Sequence, residues 1–226
     1  MTIGIIVAMD KEMALLRNII NDPVEEHAAG KTFISGNIGE TRVVAMQCGI
    51  GKVNAAIGGT LLINRYAPDA VINTGVAGAG DARVAVGDVV VGERVAYHDV
   101  WCGPESVFNA VQGLPLYYSG AESLLNALPQ DKHIHRGLIC SGDWFVDTIE
   151  RASAIKEAYP DVLAVDMESG ALAQTCHVLG VPFLSLRVIS DSPLASHDNT
   201  ADYTSFWDDA PQHTFDIVRA MLAVSR

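Results

Sequence analysis

Short apolar runs alternate with longer amphipathic segments along the whole chain. Residues 3–8, 70–74 and 182–190 are apolar on both faces, which is typical of strands buried in the middle of a parallel sheet. Residues 10–20 and 168–179 instead carry apolar side chains at helical spacing. This alternation predicts a single-domain, three-layer α/β fold, in which helices flank a central, twisted, mixed but largely parallel sheet.

The remaining segments continue the same pattern towards the end of the chain. They predict strands at 32–38, 41–48, 88–97, 137–141 and 162–165, and helices at 51–66, 149–159 and from about 200 to 224. The long irregular stretch from 98 to 120 is of the kind that is commonly functional or interfacial. No linker or internal repeat interrupts the alternation, so we expect one domain over residues 1–226.

The charge and the composition exclude several classes of function. The 226 residues include 27 acidic and 15 basic side chains, which gives a formal net charge of −12. Because a surplus of carboxylates repels phosphate, we expect no nucleic-acid partner. There is no polybasic stretch and no apolar run near the ~20 residues that cross a bilayer, so we expect no membrane contact and a cytoplasmic location. Four separated cysteines without a C-x-x-C pair predict no metal site.

Two glycine-rich runs raise the question of a nucleotide cofactor. Gly49-Ile-Gly51-Lys-Val-Asn54 lacks the small third residue of the dinucleotide fingerprint, and Gly75-Val-Ala-Gly78-Ala-Gly80 has its glycines in a different order. Neither run is a Walker loop, because no G-K-[ST] occurs, and we expect no cofactor. The first run is equally consistent with a tight turn. For the second we favour backbone that approaches a ligand, because it follows a buried strand.

Three carboxylates directly follow predicted buried strands. Glu12 follows the first strand, Glu168 follows 162–165, and Asp191 follows 182–190. The carboxyl ends of parallel strands meet at one edge of a sheet, so the three acids are expected to share one pocket. Each acid alone is better explained as an ordinary helix-terminal acid, which the helix dipole favours. The three together favour a site.

Five segments occur in the order and spacing of a known enzyme family. The chain resembles the 5′-methylthioadenosine/S-adenosylhomocysteine nucleosidases, which belong to the purine nucleoside phosphorylase superfamily. The resemblance extends from the first strand to the final helix and implies a nucleoside phosphorylase-like fold. The matching segments are Gly4-Ile-Ile-Val-Ala-Met-Asp-Lys-Glu12, Asn73-Thr-Gly-Val-Ala-Gly78, Ser141-Gly-Asp-Trp-Phe-Val146, Val165-Asp-Met-Glu168 and Arg187-Val-Ile-Ser-Asp191.

The resemblance implies hydrolysis of the bond between adenine and a 5′-substituted ribose. Asp191 matches the general acid that protonates N7 of the purine, which requires a raised pKa. Glu168 matches the residue that binds the ribose hydroxyls and stabilises positive charge on the sugar. Glu12 matches the base that activates water, and Arg187 would pair with Glu168 or help to hold the water.

The resemblance also implies a set of residues that bind the substrate. Phe145 would stack on adenine, Val146 would offer its backbone to the base edge, and Met9 and Met167 would pack against ribose. The remaining candidate substrate-binding residues are Val76, Gly78 and Ser190. Three positions depart from the family pattern: Val76 stands where Ser is frequent, Asp166 where Glu is common, and Trp144 where a small residue is usual.

A second copy of the chain is the expected protein partner. In the family, the region equivalent to 100–116 of one subunit closes the 5′ pocket of the other subunit, which implies a homodimer. Trp101, Phe108 and Pro115 are plausible lining residues. The polar segment 191–203, next to the candidate acid, is a candidate mobile lid.

Three alternatives remain open at this stage. A phosphorylase of the same fold would need a cationic cradle for phosphate, whereas Glu12 repels phosphate and suits water. A hydrolase of another adenine nucleoside, such as aminodeoxyfutalosine or 5′-deoxyadenosine, would keep the same catalytic groups. A non-catalytic purine-binding module has little need of both an acid and a base.

Overall fold

In the computed structural model, which describes residues 1–194, 199–209 and 212–223, one strongly curved sheet forms the middle layer. Its strands in the described part of the chain are β1 Thr2–Val7, β2 Asn21–Ala28, β3 Lys31–Ile38, β4 Thr41–Gln47, β5 Ala70–Ala79, β6 Val89–Tyr97, β7 Tyr118–Ser119, β8 Ile134–Ser141, β9 Val162–Asp166 and β10 Phe183–Asp191. The helices are α1 Asp10–Arg17, α2 Lys52–Tyr66, α3 Glu122–Leu125, α4 Ile149–Ala158, α5 Ser169–Leu179, α6 Asn199–Asp209 and α7 Gln212–Ala223.

The sheet is mixed and largely parallel, as the alternating pattern predicted. β1 lies between β4 and β5, and all three run parallel. β5 also pairs in parallel with β10, and the strands β6, β8 and β9 run parallel to one another. Antiparallel pairs occur between β2, β3 and β4, and where β6 meets β10 and β5 meets β9.

Apolar side chains cover both faces of the sheet and produce the three-layer arrangement. One core cluster contains buried residues of α2 and α5, and the other contains buried residues of α1, α6 and α7. Helix α2 approaches the sheet closely because it carries small residues on its inner face. A Cβ added at Gly58 would lie 2.6 Å from the Cβ of Cys48, so a larger side chain has no room there.

The structure corrects the sequence-based prediction in three places. Strand β2 was not predicted, because its residues are polar and almost all exposed; it is an edge strand that pairs only with β3. The segment from about 200 to 224 contains two helices, α6 and α7, instead of one. Strand β5 continues to Ala79, so the glycine run from Gly75 lies within a strand and not in a turn after it.

The topology brings several strand ends to one rim of the sheet. Ile6 of β1 lies beside Asn73 of β5, and Asp191 of β10 lies beside Gly78 of β5. Gly78 also pairs with Val165 near the end of β9. The residues that follow β1, β9 and β10 therefore converge around the last residues of β5. No helix in the described ranges is long and apolar enough to cross a membrane.

Candidate active site

A cleft opens at this rim. Every predicted site residue except Arg187 contributes to its wall, and Arg187 lies buried directly behind it. The three predicted acids, which are far apart in the sequence, are therefore brought together. The lining residues are Ala8, Met9, Glu12, Ile50, Val76, Ala77, Gly78, Trp144, Phe145, Val146, Val165, Asp166, Met167, Glu168, Ser190, Asp191 and Tyr203.

Glu12 is fixed by backbone amides at the start of α1. Its carboxylate accepts hydrogen bonds from the N–H groups of Ala8 at 2.8 Å, Met9 at 2.9 Å and Val76 at 3.1 Å. A glutamate at the third helical position commonly reaches back to the N-cap in this way. Burial raises the pKa of Glu12, although Arg187 and the three amides oppose the increase. Because Val76 contributes its backbone, a side chain without a hydroxyl at this position still supports Glu12.

Gly75 lies against both Glu12 and Arg187 and leaves no room for a side chain. A Cβ at this position would lie 2.7 Å from the Nη1 atom of Arg187 and even closer to the carboxylate of Glu12. Only glycine allows this carboxylate and the guanidinium to approach the same point of β5. Val76, Ala77 and Gly78 line the cleft beyond Gly75, and the approach of this backbone to a ligand stays a prediction.

Glu168 lies between β9 and α5 and is 5% exposed. Its Oε1 atom accepts a hydrogen bond from the N–H of Gly51 at 2.9 Å, and its Oε2 atom lies 3.6 Å from the Nη2 atom of Arg187. Burial raises the pKa of Glu168 to about 7; Arg187 opposes this, and the neighbouring Asp166 and Glu12 add to it. The first glycine run, which could have been a turn alone, thus also holds a site carboxylate.

Arg187 is almost fully buried and contacts more groups than the sequence indicated. Its Nη2 atom lies 2.5 Å from Asp166, which is closer than its 3.6 Å separation from Glu168. It also donates hydrogen bonds to the side-chain oxygens of Asn73 and Ser169. Asp166 was noted in the sequence only as a departure from the family pattern, and its part in this ion pair could not be inferred there.

Asp191 ends β10 and is 3% exposed. The hydroxyl oxygen of Ser190 lies 2.6 Å from the Oδ1 atom of Asp191 and 3.2 Å from the carbonyl oxygen of Ala77. The Oδ2 atom of Asp191 faces Gly78, where an added Cβ would approach to 3.4 Å. Asp191 therefore lies on the β5–β10 side of the cleft, supported by a serine that also contacts the neighbouring strand.

Aromatic side chains form the outer wall. Phe145 remains 41% exposed at the cleft, and its ring lies edge-on to the ring of Tyr203, with 5.5 Å between the centroids. The hydroxyl of Tyr203 donates to the sulfur of Met9 at 3.4 Å. Tyr203 was not among the predicted site residues, although an aromatic residue in the polar segment after Asp191 was a usable signal. Residues 195–198 of the candidate lid lie outside the described residues.

The described part of the chain contains no cluster of three or more His, Cys, Asp or Glu side chains arranged to hold a metal ion. His133 and His135, which alternate along the start of β8, both contact Asp88, at 2.9 and 3.0 Å. These histidines thus have a carboxylate partner away from the cleft.

Comparisons with known proteins agree with this geometry. The family model described as "Phosphorylase superfamily" matches residues 2–223. A protein of Exiguobacterium sp., named 5′-methylthioadenosine/S-adenosylhomocysteine nucleosidase, is 40% identical over 98% of this chain and 97% of its own length. The chain belongs to this nucleosidase family within the phosphorylase superfamily.

Two solved structures of the superfamily show how closely the nucleosidase fold is shared. The Streptococcus pneumoniae enzyme named 5′-methylthioadenosine/S-adenosylhomocysteine nucleosidase, with the transition-state inhibitor MT-ImmA, superposes with a TM-score of 0.92 at 36% identity and covers 99% of both chains. The futalosine hydrolase of Helicobacter pylori gives a TM-score of 0.89 at 25% identity, over 97% of this chain and 96% of its own. The same fold therefore occurs in proteins that are named for two different activities.

The raised pKa of Glu168 predicts a pH-dependent stability. Because the folded-state pKa of about 7 exceeds the ordinary value of 4.5, the protonated carboxyl stabilises the fold below about pH 4.5, and this contribution is lost as the pH rises to 7. Glu168→Gln removes the buried charge. We expect its Tm to exceed that of the wild type by about 5 °C at pH 8, with little difference at pH 4.5, in thermal unfolding followed by circular dichroism.

Glu40→Gln, in the exposed turn between β3 and β4, is the matched control and should leave the Tm unchanged at both pH values. A Glu168→Gln variant whose Tm differs from the wild type equally at pH 4.5 and pH 8 would contradict a raised pKa.

Proposed function

We propose that this chain hydrolyses the N-glycosidic bond of 5′-methylthioadenosine, S-adenosylhomocysteine or both, and releases adenine and the 5′-substituted ribose. The observation that carries the proposal is one cleft lined by three buried carboxyl groups and a partly exposed aromatic ring. Glu12 meets β5 at Gly75 and Val76, Asp191 faces Gly78 further along the same strand, and the ring of Phe145 would stack on a base. A purine nucleoside between them would have its base at Asp191 and its sugar at the two glutamates.

The purine side supplies the proton in this proposal. The Ser190 hydroxyl has one proton but two oxygen neighbours, Asp191 and the carbonyl of Ala77. This serine holds the carboxyl of Asp191 against β5, at the edge of the cleft where the base would lie. Asp191 would protonate N7 as adenine leaves, and the backbone of Val146 would hold the base edge.

The sugar side supplies the negative charge and the water. As the glycosidic bond breaks, positive charge develops on the ribose, and the Glu168 carboxylate stabilises it while holding the 2′- and 3′-hydroxyls. Glu12 keeps a raised pKa beside Gly75 and accepts the proton of the attacking water. Met9 and Met167 line the cleft next to these groups and would pack against the ribose.

The local charges favour water over phosphate as the nucleophile. Arg187 is the cation behind the cleft, and its charge is shared among Asp166, Glu168 and Glu12. A phosphate dianion entering this region would meet more carboxylates than cations, and its binding requires the opposite balance. The phosphorylase alternative is therefore disfavoured.

The 5′ substituent defines the second candidate function. The structural similarity to futalosine hydrolase supports an adenine nucleoside with a larger 5′ group, such as aminodeoxyfutalosine. The cleft of this chain instead presents Met9, Ile50 and Tyr203, which are mainly apolar surfaces. Such surfaces favour a thioether, and 5′-deoxyadenosine would also fit.

We further propose that the chain is a homodimer in which the 100–116 segment of one subunit closes the 5′ pocket of its partner. Val53 and Ile57 of α2 and Ile50 just before it are about half exposed or more, and so are Trp101 and Phe108 of the segment. The 2.7 Å ion pair between Lys52 and Asp99 holds the start of α2 against the residue that precedes this segment. A contiguous apolar surface beside the cleft fits a second copy of the same surface.

The reaction is assigned to the cytoplasm, where thiols stay reduced. All four cysteines are free, and Cys48, Cys140 and Cys176 are buried without forming a disulfide.

Purified protein should release adenine from methylthioadenosine at the same rate with and without phosphate, and the sugar product should be the free 5′-methylthioribose. Asp191→Asn cannot supply the proton, so kcat should fall by about 10²–10⁴-fold. Chromatography of base and sugar checks both expectations, with adenosylhomocysteine, 5′-deoxyadenosine and inosine as comparison substrates.

Asp216→Asn, an exposed ion-paired aspartate of α7, is the matched control and should retain full activity. Formation of a 5′-methylthioribose 1-phosphate would show that the enzyme is a phosphorylase and contradict hydrolysis. Turnover by Asp191→Asn at the wild-type rate would show that Asp191 is not the general acid.

A charge introduced into the apolar surface should separate the subunits and weaken substrate binding. We expect Trp101→Glu to convert a dimer into a monomer in light scattering and to raise KM for methylthioadenosine by about tenfold, because the 5′ pocket loses its partner wall. Val24→Glu, at an exposed apolar residue of the edge strand β2, is the control and should remain dimeric. A monomeric wild type, or a Trp101→Glu dimer with unchanged KM, would contradict the proposal.

A further inference from the structure

Asp166 is the nearest carboxylate to Arg187, yet the proposed chemistry gives it no role. It ends β9, is 7% exposed, and lies two residues before Glu168. Its Oδ2 atom is 2.5 Å from the Nη2 atom of Arg187, whereas the closest approach of Glu168 to that atom is 3.6 Å. Since Coulomb attraction grows as charges approach, Asp166 takes the largest share of the guanidinium charge.

Two serines complete the contact between Asp166 and Arg187. The hydroxyl of Ser169 donates to Asp166 at 2.5 Å, and the backbone N–H of Ser169 donates to the same oxygen at 3.0 Å. The Ser169 oxygen lies 3.3 Å from the Nε and Nη2 atoms of Arg187, which donate to it, and 2.6 Å from the hydroxyl of Ser185. These contacts hold the carboxyl group of Asp166 in one position and fix the guanidinium beside it.

The guanidinium is thereby held at a set distance from both catalytic carboxyls. Its Nη1 atom faces Gly75 beside the carboxylate of Glu12, and its Nη2 atom is turned towards Asp166 and Asn73. A guanidinium released from Asp166 could move onto Glu168 or Glu12 and form a close ion pair there. Such a pair would make either carboxylate a weaker base.

We infer that Asp166 is a positioning residue: by pairing with Arg187 it keeps the guanidinium from neutralising Glu12 and Glu168. The inference rests on the proposed function, because those two carboxylates matter as the water-activating base and the sugar-stabilising anion. In this inference Asp166, Ser169 and Ser185 act by holding Arg187 in place and do not touch the substrate.

Two other titratable groups that face this cluster, Cys48 and Tyr203, stay uncharged near neutral pH. Burial raises the pKa of the Cys48 thiol, which follows β4, to about 12, and burial also raises the pKa of the Tyr203 hydroxyl on α6. Asp191 on β10 faces the same cleft from the purine side. Among these neighbours, Asp166 is therefore the carboxylate whose removal most directly alters the charge at Glu12 and Glu168.

The test is the pH profile of kcat/KM for methylthioadenosine in Asp166→Asn. Loss of the carboxylate leaves Arg187 free to stabilise ionised Glu12 and Glu168, so the midpoint of the acidic limb should move down by about one pH unit or more. The plateau should fall by about ten- to a hundredfold, because the base is weaker. Asp166→Glu keeps the charge and should restore both the midpoint and most of the plateau.

Asp161→Asn is the matched control, since Asp161 pairs with Arg94 at the exposed, opposite end of β9. It should leave the profile unchanged. If Asp166→Asn fails to fold, Ser169→Ala provides the second variant; it loosens the same contact and should move the midpoint in the same direction by a smaller amount.

If Asp166→Asn lowers the plateau of kcat/KM but leaves the midpoint of the acidic limb unchanged, Asp166 has only a structural role and the inference is overturned. An unchanged midpoint in a folded Ser169→Ala would do the same where Asp166→Asn is unfolded. Absence of wild-type turnover on every adenine nucleoside tested would instead overturn the proposed function, and the inference with it.

Discussion

One buried guanidinium shared by three carboxyl groups is the constraint on which the rest of the site depends. Arg187 lies behind the cleft, and Asp166, Glu168 and Glu12 surround it from three different elements. Burying this many ionisable groups is unfavourable unless each has a partner. Backbone amides of Ala8, Met9 and Val76 donate to Glu12, and the amide of Gly51 donates to Glu168. The side chain of Asn73 accepts from Arg187.

The curvature of the sheet makes this concentration of charge possible. Strand β5 borders β1, β10 and β9 along its length. The residues at the ends of those three strands therefore meet around the last residues of β5. Gly75 then allows Glu12 and Arg187 to approach the same point of β5. Burial there raises the pKa of Glu12, which would make its carboxylate a stronger base towards water in the proposed reaction.

Much of this arrangement could be predicted from the sequence because strand ends are easy to recognise. Glu12 and Asp191 lie just after or at the ends of strands that run parallel to β5, and parallel strands bring such residues to one edge. Glu168 reaches the same edge although β9 is antiparallel to β5, because the end of β9 pairs with the end of β5 at Gly78. Phe145 and Val146 were identified as candidate substrate-binding residues through the resemblance alone. Their position in the cleft agrees with the roles proposed for them, which only measurements on variants can test.

Other features could not be predicted, for identifiable physical reasons. Strand β2 has no apolar alternation, since it is exposed on nearly every residue and is held by its pairing with β3. Arg187 was expected to pair with Glu168 or to help hold the water, and its nearer partner is Asp166, because side-chain packing sets 2.5 Å against 3.6 Å. Tyr203 reaches the cleft because α6 folds back over Phe145, and the sequence signal for this tertiary contact was limited to an aromatic residue in the polar segment after Asp191.

The central claim is that burial in this cluster holds a proton on a glutamate near neutral pH. Carbon-13 NMR of glutamate-labelled protein, with the Glu168 resonance assigned by its loss in Glu168→Gln, measures this directly. The account predicts that the Glu168 carboxyl titrates near pH 7. A Glu168 resonance that titrates at about 4.5, as an exposed glutamate does, would contradict it.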